Sequence, residues 1–334
     1  MSVVVPFAGT AQQAYAVIAM LGGLHTTTED ELIIADNSGT VPPAGRMRVV
    51  DADGEPTPAH SRNCGARAAT REWILFLDAD VVAPATLLDD FFLAPIDPAV
   101  GAVTGDLRGL TDARTLAERY GAARNFLGQR SHVNNPVRPR ASSANLLVRR
   151  AAFEQIGGYT EGIRTAEDTD FTWRLQEAGW RLGFNPDAVV AHAYRRTVRE
   201  LGRQWRSYAA GARWLSERYP DFKPDPGWNR GLRLILKRIG IGPGVEFRAD
   251  GRTSQASANY SALERLLFFL IQCYLAVQEQ IGLRMSNSVG PVSSHGRAPT
   301  PAQAPAPKSA PPQAPTAGQS PAPAAPEPPA GERR

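Results

Sequence analysis

The sequence contains few lysines and few cysteines. Only three of its 334 residues are lysines, so arginine supplies nearly all of the positive charge. The two cysteines, Cys64 and Cys273, are 209 positions apart and match no common disulfide or metal-binding spacing. We therefore expect neither a disulfide framework nor a cysteine metal site, and a reducing cytosol as the compartment.

Long apolar stretches are also missing. Apolar residues are never continuous over the roughly 20 positions that a membrane-spanning helix requires. The N-terminus lacks the basic region that opens a secretory signal peptide, and its first apolar run ends at Pro6. Hydrophobic residues make up 43% and charged residues 21% of the chain, as in ordinary globular proteins. These features predict a folded cytoplasmic protein with ample material for a core.

Positive charge is concentrated in one region of the chain. Between Arg195 and Arg238 there are twelve arginines and lysines against four acidic residues. A patch of this kind can contact phosphate groups, nucleic acid or an anionic membrane surface.

A short apolar strand ends in two aspartates. Ile74 to Leu77 are four apolar residues in a row, and Asp78 and Asp80 follow with one residue between them. Side chains two positions apart in an extended chain project to the same side, so the two carboxylates can converge. In α/β folds the carboxyl ends of parallel strands face the ligand crevice, where such a pair suits Mg²⁺ or Mn²⁺. The structural alternative is a turn in which Asp80 caps the next helix.

Strands and helices alternate along the chain, which predicts a mostly parallel sheet covered on both faces. The predicted strands are residues 2–6, 31–35, 48–51, 74–77, 101–105, 143–148, 180–184 and 188–192. The predicted helices are residues 11–21, 112–129, 151–156, 197–219, 230–238 and 263–283, with further helices beginning at residues 61 and 165.

A second acidic cluster contains Glu167, Asp168 and Asp170. Thr165 and Asp168 fit the capping-box pattern, so one interpretation is that Asp168 caps its own helix. Three carboxylates in four residues exceed what a cap requires, and a carboxylate facing a cleft can accept a proton from a hydroxyl. His192 ends an apolar stretch and fits either a buried core histidine or a ligand of Mn²⁺ beside carboxylates.

Taken together, these segments resemble the family 2 glycosyltransferases, which have the GT-A fold. The resemblance covers about residues 2–215. It rests on eight segments in the family's order: VVVP (3–6), DNS (36–38), SRNCGA (61–66), FLDAD (76–80), SANLLVRR (143–150), GGY (157–159), AEDTD (166–170) followed by Arg174-Leu175, and Pro186-x-x-x-Val190-x-His192.

The resemblance implies a fold, a reaction and a set of site residues. The fold is α/β GT-A, Rossmann-like, with a mostly parallel central sheet flanked by helices. The reaction is the inverting, metal-dependent transfer of a sugar from a nucleotide-diphosphate sugar to an acceptor hydroxyl, in cell-envelope glycan or glycolipid synthesis. The cofactor is Mn²⁺ or Mg²⁺, and no nucleic-acid partner is expected. The resemblance also implies roles for single residues. Around the nucleotide sugar, Pro6 and Phe7 line the nucleotide pocket, Asp36 binds the base, Arg62 lies near the ribose or diphosphate, and Asp78 and Ala79 contact the donor. Asp80 and His192 hold the metal, and Asp168, helped by Glu167, is the catalytic base.

The resemblance is to the non-processive members of the family. Processive synthases carry Gln-x-x-Arg-Trp and several membrane helices. Here Gln204 is followed by Arg206, and an Arg-Trp pair comes only at residues 213–214, so polymer synthesis is disfavoured.

Four regions are expected along the chain. Residues 1–105 form the nucleotide-sugar half and residues 106–220 the acceptor half of the GT-A domain. Residues 221–286 form a helical extension. Its basic and apolar part, residues 228–285, either packs against the catalytic domain or another subunit, or contacts the inner face of the plasma membrane, near a lipid-linked acceptor. Residues 287–334 are rich in Pro and Ala and are expected to be disordered.

Two other functions fit part of the sequence. Residues 77–82 also match the nucleophile loop of haloacid-dehalogenase-type phosphatases, in which Asp78 would be phosphorylated and Asp80 would be the acid/base. That family usually needs a lysine, and none occurs before Asp221. Its loop also follows the first strand, whereas here three predicted strands come before the strand that ends at Asp78. The other alternative is a non-catalytic sugar-nucleotide-binding module, for which loss of Asp80 or Asp168 would be expected.

Overall fold

The computed structural model describes residues 1–110, 113–224 and 260–290, which form an eight-stranded sheet with helices on both faces. The strands are β1 (Ser2–Phe7), β2 (Glu31–Asp36), β3 (Arg48–Asp51), β4 (Trp73–Leu77), β5 (Val81–Val82), β6 (Val100–Gly109), β7 (Asn145–Arg149) and β8 (Arg181–His192). The helices are α1 (Ala11–Gly22), α2 (Pro58–Ala68), α3 (Leu87–Asp90), α4 (Leu116–Ala123), α5 (Arg130–Val133), α6 (Arg150–Gln155), α7 (Glu167–Glu177), α8 (Val198–Arg218) and α9 (Ala262–Gly282).

The strands lie in the order β3-β2-β1-β4-β7-β6-β8-β5. β1 to β4 are joined by parallel pairings, and β6 is parallel to β8. β7 is antiparallel to both of its neighbours, and β5 is antiparallel to β8. The predicted α/β architecture is therefore confirmed, with antiparallel pairings that the sequence did not indicate. Because β1, β2 and β4 run in the same direction, the segments after them meet at one edge of the sheet.

Side chains of the central strands alternate between two hydrophobic cores. All five residues of β4 are buried. Leu75 belongs to the core that contains Val17 of α1, whereas Phe76 belongs to the core that contains Phe171 of α7. This alternation explains why β4 is apolar throughout, since each of its faces is covered by helices.

Small residues let α2 approach the sheet closely. A Cβ atom on Gly65 would lie 2.4 Å from Cγ1 of Val4, so a larger residue would push the helix away from β1. α2 begins at Pro58, before the predicted start at residue 61. The reason is local, because Thr57 caps the helix and proline suits the first helical position.

β8 is one long strand, whereas the sequence predicted two short strands. Its register against β6 shifts between Asn185 and Val189. Pro186 lies inside this shift, where a residue without an N–H group is tolerated. The irregularity leaves the strand unbroken, and its last residue, His192, pairs with Val81 of β5.

The predicted helix at residues 112–129 is wrong in its extent. α4 starts after Thr115, whose side chain and Glu118 form a capping box. It ends by Arg124, because Asn125 has a φ of 48°, which a right-handed helix does not tolerate. A separate turn of helix, α5, follows.

α8 and α9 pack against each other. Leu201 of α8 packs with Phe268, Ile271 and Leu275 of α9. In the parts of the chain that the structure describes, no helix combines the length and the apolar character needed to cross a bilayer.

Residues 287–290 are ordered, although the sequence analysis assigned them to the tail. The backbone N–H of Arg164 donates to the carbonyl of Asn287 at 2.9 Å, and that of Val289 donates to Gly162 at 2.9 Å. These bonds attach the segment to the loop before α7. The rest of the predicted tail and the predicted helix at residues 230–238 lie outside the described residues.

Candidate active site

Two carboxylates and an imidazole meet at the edge of the sheet where β4 ends. Asp78 and Asp80 follow β4, and His192 ends β8. One potential ligand atom from each of the three side chains lies within 4.8 Å of the other two. The fold thus brings together the three residues that the sequence analysis proposed for the donor and its metal.

Both ring nitrogens of His192 have a partner. Nδ1 lies 2.8 Å from the carbonyl oxygen of Ala193, which can only accept, so Nδ1 carries a proton. Nε2 lies 3.2 Å from Oδ1 of Asp80. Burial alone would lower the pKa of His192, but the hydrogen bond and charge of Asp80 outweigh it and raise this pKa. The hydrogen bond from His192 in turn lowers the pKa of Asp80.

This donor set fits a divalent metal ion. Carboxylate oxygens and a neutral imidazole suit Mn²⁺, and oxygen ligands suit Mg²⁺. Once Nε2 has lost its proton, a histidine whose Nδ1–H is bound to a carbonyl presents the Nε2 lone pair to a metal, as metal-binding histidines commonly do. The side chain of Asp80 is 62% exposed and that of His192 is 13% exposed, so the cluster is open to solvent on the Asp80 side.

Arg62 of α2 links this cluster to the second acidic cluster. Nη2 of Arg62 donates to Oδ1 of Asp78 at 2.7 Å, and Nη1 donates to Oε1 of Glu167 at 2.9 Å. The guanidinium also lies over the ring of Tyr159, 5.5 Å from its centroid. One buried cation therefore fixes a carboxylate that follows β4 and a carboxylate that opens α7.

Asp168 lies beside Glu167 in the first turn of α7, and it does not cap this helix. The cap position is Ala166, which has a φ of 70° and contributes no side-chain bond. The capping interpretation of Thr165 and Asp168 is therefore wrong. The Asp168 carboxylate accepts a hydrogen bond through Oδ1 from the backbone N–H of Thr169, at 2.6 Å.

The pKa of Asp168 is raised to about 7. Removal from water by the surrounding protein is the main cause, and the negative charge of Glu167 acts in the same direction. The positive charge of Arg62 opposes both. A carboxyl group that titrates near neutral pH is well matched to general-base catalysis.

Asp170 belongs to a separate, structural cluster. It is fully buried, and its carboxylate accepts hydrogen bonds from Thr160 and Tyr219, each at 2.7 Å. It also forms ion pairs with Arg174 at 2.8 Å and Arg218 at 3.0 Å. Residues two apart in a helix point in nearly opposite directions, about 200° from one another. The acidic run in the sequence therefore divides between the candidate site and the core.

The Asp36 carboxylate forms hydrogen bonds with the loop that follows it. Its side chain is nearly buried, with the residue 4% exposed. Its carboxylate accepts from the N–H groups of Ser38, Gly39 and Val41 at 2.8, 3.0 and 2.9 Å, and from the Ser38 hydroxyl at 2.7 Å. Burial alone would raise the pKa of Asp36, but these donors outweigh it and lower this pKa. Asp36 shapes the loop after β2, and its predicted contact with the base stays a prediction.

The other residues predicted to bind the nucleotide sugar differ in exposure. Phe7 is 3% exposed and packs in the core on the α1 side of the sheet. Pro6 and Ala79 are half-buried, so each keeps some accessible surface. Phe7 therefore keeps almost no accessible surface, and its predicted place in the nucleotide pocket stays a prediction.

Asn63 and Tyr159 hold the site together, although sequence reasoning gave them no role. The Asn63 side chain exchanges two hydrogen bonds with the backbone of Tyr159, both at 2.9 Å. The Tyr159 hydroxyl lies 2.8 Å from the Ser143 hydroxyl. All three residues lie in segments that carry the family resemblance, which was the available signal.

Comparison with known proteins identifies the family. Residues 73–280 match the model of glycosyl transferase family group 2. The chain belongs to this family. It is 31% identical over 255 residues to the pre-mycofactocin glycosyltransferase of Mycobacterium tuberculosis, an alignment that covers 73% of this chain and 53% of that protein. It is 26% identical over 197 residues to the O-antigen chain rhamnosyltransferase of Salmonella typhimurium, covering 53% of this chain and 61% of that protein. The alignments thus span about half to three-fifths of these relatives.

A solved structure supports the same assignment at the level of the fold. The mannosyltransferase of Pyrobaculum calidifontis, determined in complex with GDP-Man and Mn²⁺, aligns with a TM-score of 0.55 and 18% identity over 84% of this chain and 86% of that chain. The predicted GT-A fold is therefore confirmed. The phosphatase alternative is not favoured, because the family differs and Asp78 follows the fourth strand of the chain, β4.

The substitution Glu167→Gln should lower the pKa of Asp168, because it removes a negative charge that opposes ionisation of the adjacent carboxyl group. We expect the carboxyl carbon of Asp168 to titrate near pH 7 by ¹³C NMR in the wild type, and at lower pH in the variant. Glu177→Gln, at the end of the same helix, is the control. A wild-type midpoint near pH 4, or the same midpoint in both Glu167 forms, would contradict the assignment.

Proposed function

We propose that the protein transfers a sugar from a nucleotide-diphosphate sugar to an acceptor hydroxyl. This proposal rests on one observation: two chemically different groups of side chains lie on either side of Arg62. On one side, Asp78, Asp80 and His192 form a set of potential metal ligands. On the other side, Asp168 is a carboxyl group whose pKa lies near neutrality. Membership of the glycosyltransferase family supports the same reaction class.

The donor and the acceptor occupy different halves of the domain in this proposal. Residues 1–105 supply Arg62, Asp78 and Asp80 to the donor site, with Pro6, Phe7, Asp36 and Ala79 around the nucleotide. Residues 106–220 supply Glu167 and Asp168 to the acceptor site. His192 extends from this second half and completes the metal-ligand set of the first.

Asp80 and His192 would hold a divalent ion, and Asp78 lies close enough to join them. When bound, Mn²⁺ or Mg²⁺ would neutralise the negative charge that develops on the departing nucleoside diphosphate. The presence of Mn²⁺ and GDP-Man in the mannosyltransferase of similar fold supports this assignment.

Asp168 would accept the proton of the acceptor hydroxyl as that oxygen attacks the anomeric carbon. The new carbon–oxygen bond forms on the face opposite the diphosphate, while the bond to the diphosphate breaks and its electrons leave with the nucleotide. The anomeric configuration is therefore inverted. Glu167 assists by keeping the pKa of Asp168 near neutrality, while its own carboxylate is bound by Arg62.

We place the acceptor in cell-envelope glycan or glycolipid synthesis. Similarity to an O-antigen chain rhamnosyltransferase supports this class of acceptor. A peripheral membrane contact through residues 228–285 would bring the site close to a lipid-linked acceptor. In the described part of this region, α9 leaves Leu263, Leu266, Leu270 and Val277 between 53% and 65% exposed. Their spacing of three, four and seven residues puts them on one face of the helix.

A screen of nucleotide sugars with Mn²⁺ or Mg²⁺ tests the donor assignment, with nucleoside diphosphate release and thermal shift as readouts. A donor at 100 times its Kd should stabilise the fold by roughly 2.7 kcal/mol.

Asp80→Ala should abolish this metal-dependent binding and turnover while leaving the unliganded fold intact, because the side chain is largely exposed. Asp89→Ala, at an exposed position on α3, is the control. Full activity of the Asp80 variant, or of the wild type in excess EDTA, would refute the metal role.

Asp168→Asn should lower sugar transfer at least about 100-fold, because it removes the proton acceptor. Donor binding and the melting temperature should stay near wild-type values, since the carboxylate makes no capping bond. Single-turnover transfer and donor binding are measured side by side, with Glu177→Gln as the control on the same helix. Transfer within a few-fold of wild type would exclude Asp168 as the base.

Membrane contact is tested by flotation with anionic and neutral liposomes. Binding should require anionic lipid, at about 1 kcal/mol per basic residue, and should weaken as salt is added. The double substitution Leu266→Ser with Leu270→Ser should reduce it, whereas Val49→Ser, at an exposed position on β3, should not. A protein that stays unbound to either liposome type would leave packing within the protein as the role of this region.

A further inference from the structure

A second cleft, of about 280 Å³, lies between α8, the loop before α7 and the segment that follows α9. Its lining includes Arg164, Arg203, Arg206, Ser207, Met285 and Asn287. We call it the arginine cleft. The proposed transfer reaction uses none of these residues, and Arg203 and Arg206 belong to the basic region noted in the sequence.

The arginine cleft is held in shape by specific contacts. The backbone N–H of Arg164 donates to the carbonyl of Asn287 at 2.9 Å, and Nδ2 of Asn287 donates to the carbonyl of Thr165 at 2.9 Å. The end of α9 is pressed against α8, because a Cβ atom on Gly282 would lie 2.7 Å from Cβ of Ala209. Three segments distant in sequence therefore define a concave surface.

Three positively charged arginine side chains line this surface, and the charge of Arg203 also acts on the nearby carboxylate of Glu200. Within the described residues, Arg164, Arg203 and Arg206 form no salt bridge, whereas Arg213, further along α8, pairs with Glu217 at 2.8 Å. Gathering like charges around a cleft raises their mutual repulsion, and a bound anion relieves it. Arginine is also the side chain whose fork of donors best matches the oxygens of a phosphate.

Asn287 gives a second, independent sign of a ligand. The residue is only 5% exposed, and its Oδ1 has no hydrogen-bond partner among the described residues. A buried acceptor without a donor is costly. Asn287 lines the cleft, and a ligand hydroxyl that reached its Oδ1 would supply that donor, so the lining suits an anion that also carries hydroxyl groups.

The arginine cleft lies near the proposed base. Arg164 is four residues before Asp168, so their Cα atoms are at most about 14 Å apart. Gly211 of α8 lies directly against Thr165 and Ala166, where an added Cβ atom would be 2.8 and 2.9 Å from their side chains. The α8 wall of the cleft therefore lies close to the start of α7, which carries Asp168.

We propose that the arginine cleft binds the phosphate or diphosphate group of a phosphorylated acceptor and thereby presents an acceptor hydroxyl to Asp168. This inference rests on the proposed function and adds the chemical class of the acceptor. The volume lies just below the usual range of ligand pockets, which suits a small polyanion with part of the attached group. Three arginines can balance the charge of a diphosphate.

Binding is measured first, by isothermal titration of the full chain with inorganic pyrophosphate in excess EDTA, which keeps divalent metal out of the donor site. The wild type should bind, and Arg206→Gln and Arg203→Gln should each weaken binding about tenfold or more, since each removes a charge-assisted contact. Arg199→Gln, at an exposed position on α8 outside the cleft, and Asp80→Ala should bind as the wild type does. Equal binding by all variants, or none by the wild type, overturns the site.

Kinetics then test the assignment to the acceptor. With an acceptor found by screening, Arg206→Gln should raise the KM for the acceptor about tenfold or more and leave the KM for the donor and donor hydrolysis unchanged. Pyrophosphate should compete with the acceptor. Non-competitive inhibition would identify a free anionic effector and overturn the acceptor assignment, as would an acceptor that carries no phosphate.

The two proposals can fail separately. If every variant binds pyrophosphate alike while a nucleotide sugar is turned over, the arginine cleft is refuted and the glycosyltransferase function stands. If the wild type binds pyrophosphate through the arginines but turns over no nucleotide sugar, the anion site stands, and both the function and the acceptor assignment fall.

Discussion

The arrangement of the candidate site depends on one buried cation, Arg62. Its guanidinium is held between Asp78 and Glu167, at 2.7 and 2.9 Å. Burial alone would lower the pKa of Arg62, but the charges of these two carboxylates outweigh it and raise this pKa. A charge of this kind is stable in the interior only while its partners are in place, and losing one partner costs about 3–5 kcal/mol. The end of β4 and the start of α7 are therefore fixed relative to each other.

Arg62 lies between two groups of carboxylates, in which the pKa values of Asp80 and Asp168 are shifted in opposite directions. Asp80 is held ionised by His192 on the exposed side of the cluster, as a metal ligand must be. Asp168 lies beside Glu167, where burial and a like charge move its pKa to about 7. Similar side chains thus acquire different proton affinities from their surroundings. We assign the donor to the first environment and the acceptor hydroxyl to the second.

The sequence predicted the parts of this site that depend on local pattern. Short stretches of sequence show the apolar run before Asp78 and the apolar stretch that ends at His192. They also show that Asp78 and Asp80 are two residues apart, so that in an extended chain both project to the same side. Features set by distant contacts were not predictable in this way. They include the double pairing of Arg62, the burial of Asp170 by arginines from α7 and α8, and the antiparallel insertion of β7. The left-handed Ala166, which removes the expected cap, was equally hidden, because alanine carries no signal for that conformation.

The central claim is that the carboxylates after β4 and His192 bind the metal of the donor complex, while Asp168 remains free for the acceptor. Anomalous diffraction from crystals grown with Mn²⁺ and a nucleoside diphosphate tests it most directly. The account predicts a manganese peak in contact with the Asp80 carboxylate, Nε2 of His192 and the diphosphate. A peak bound by Glu167 and Asp168, or a diphosphate bound away from Asp80, would contradict it.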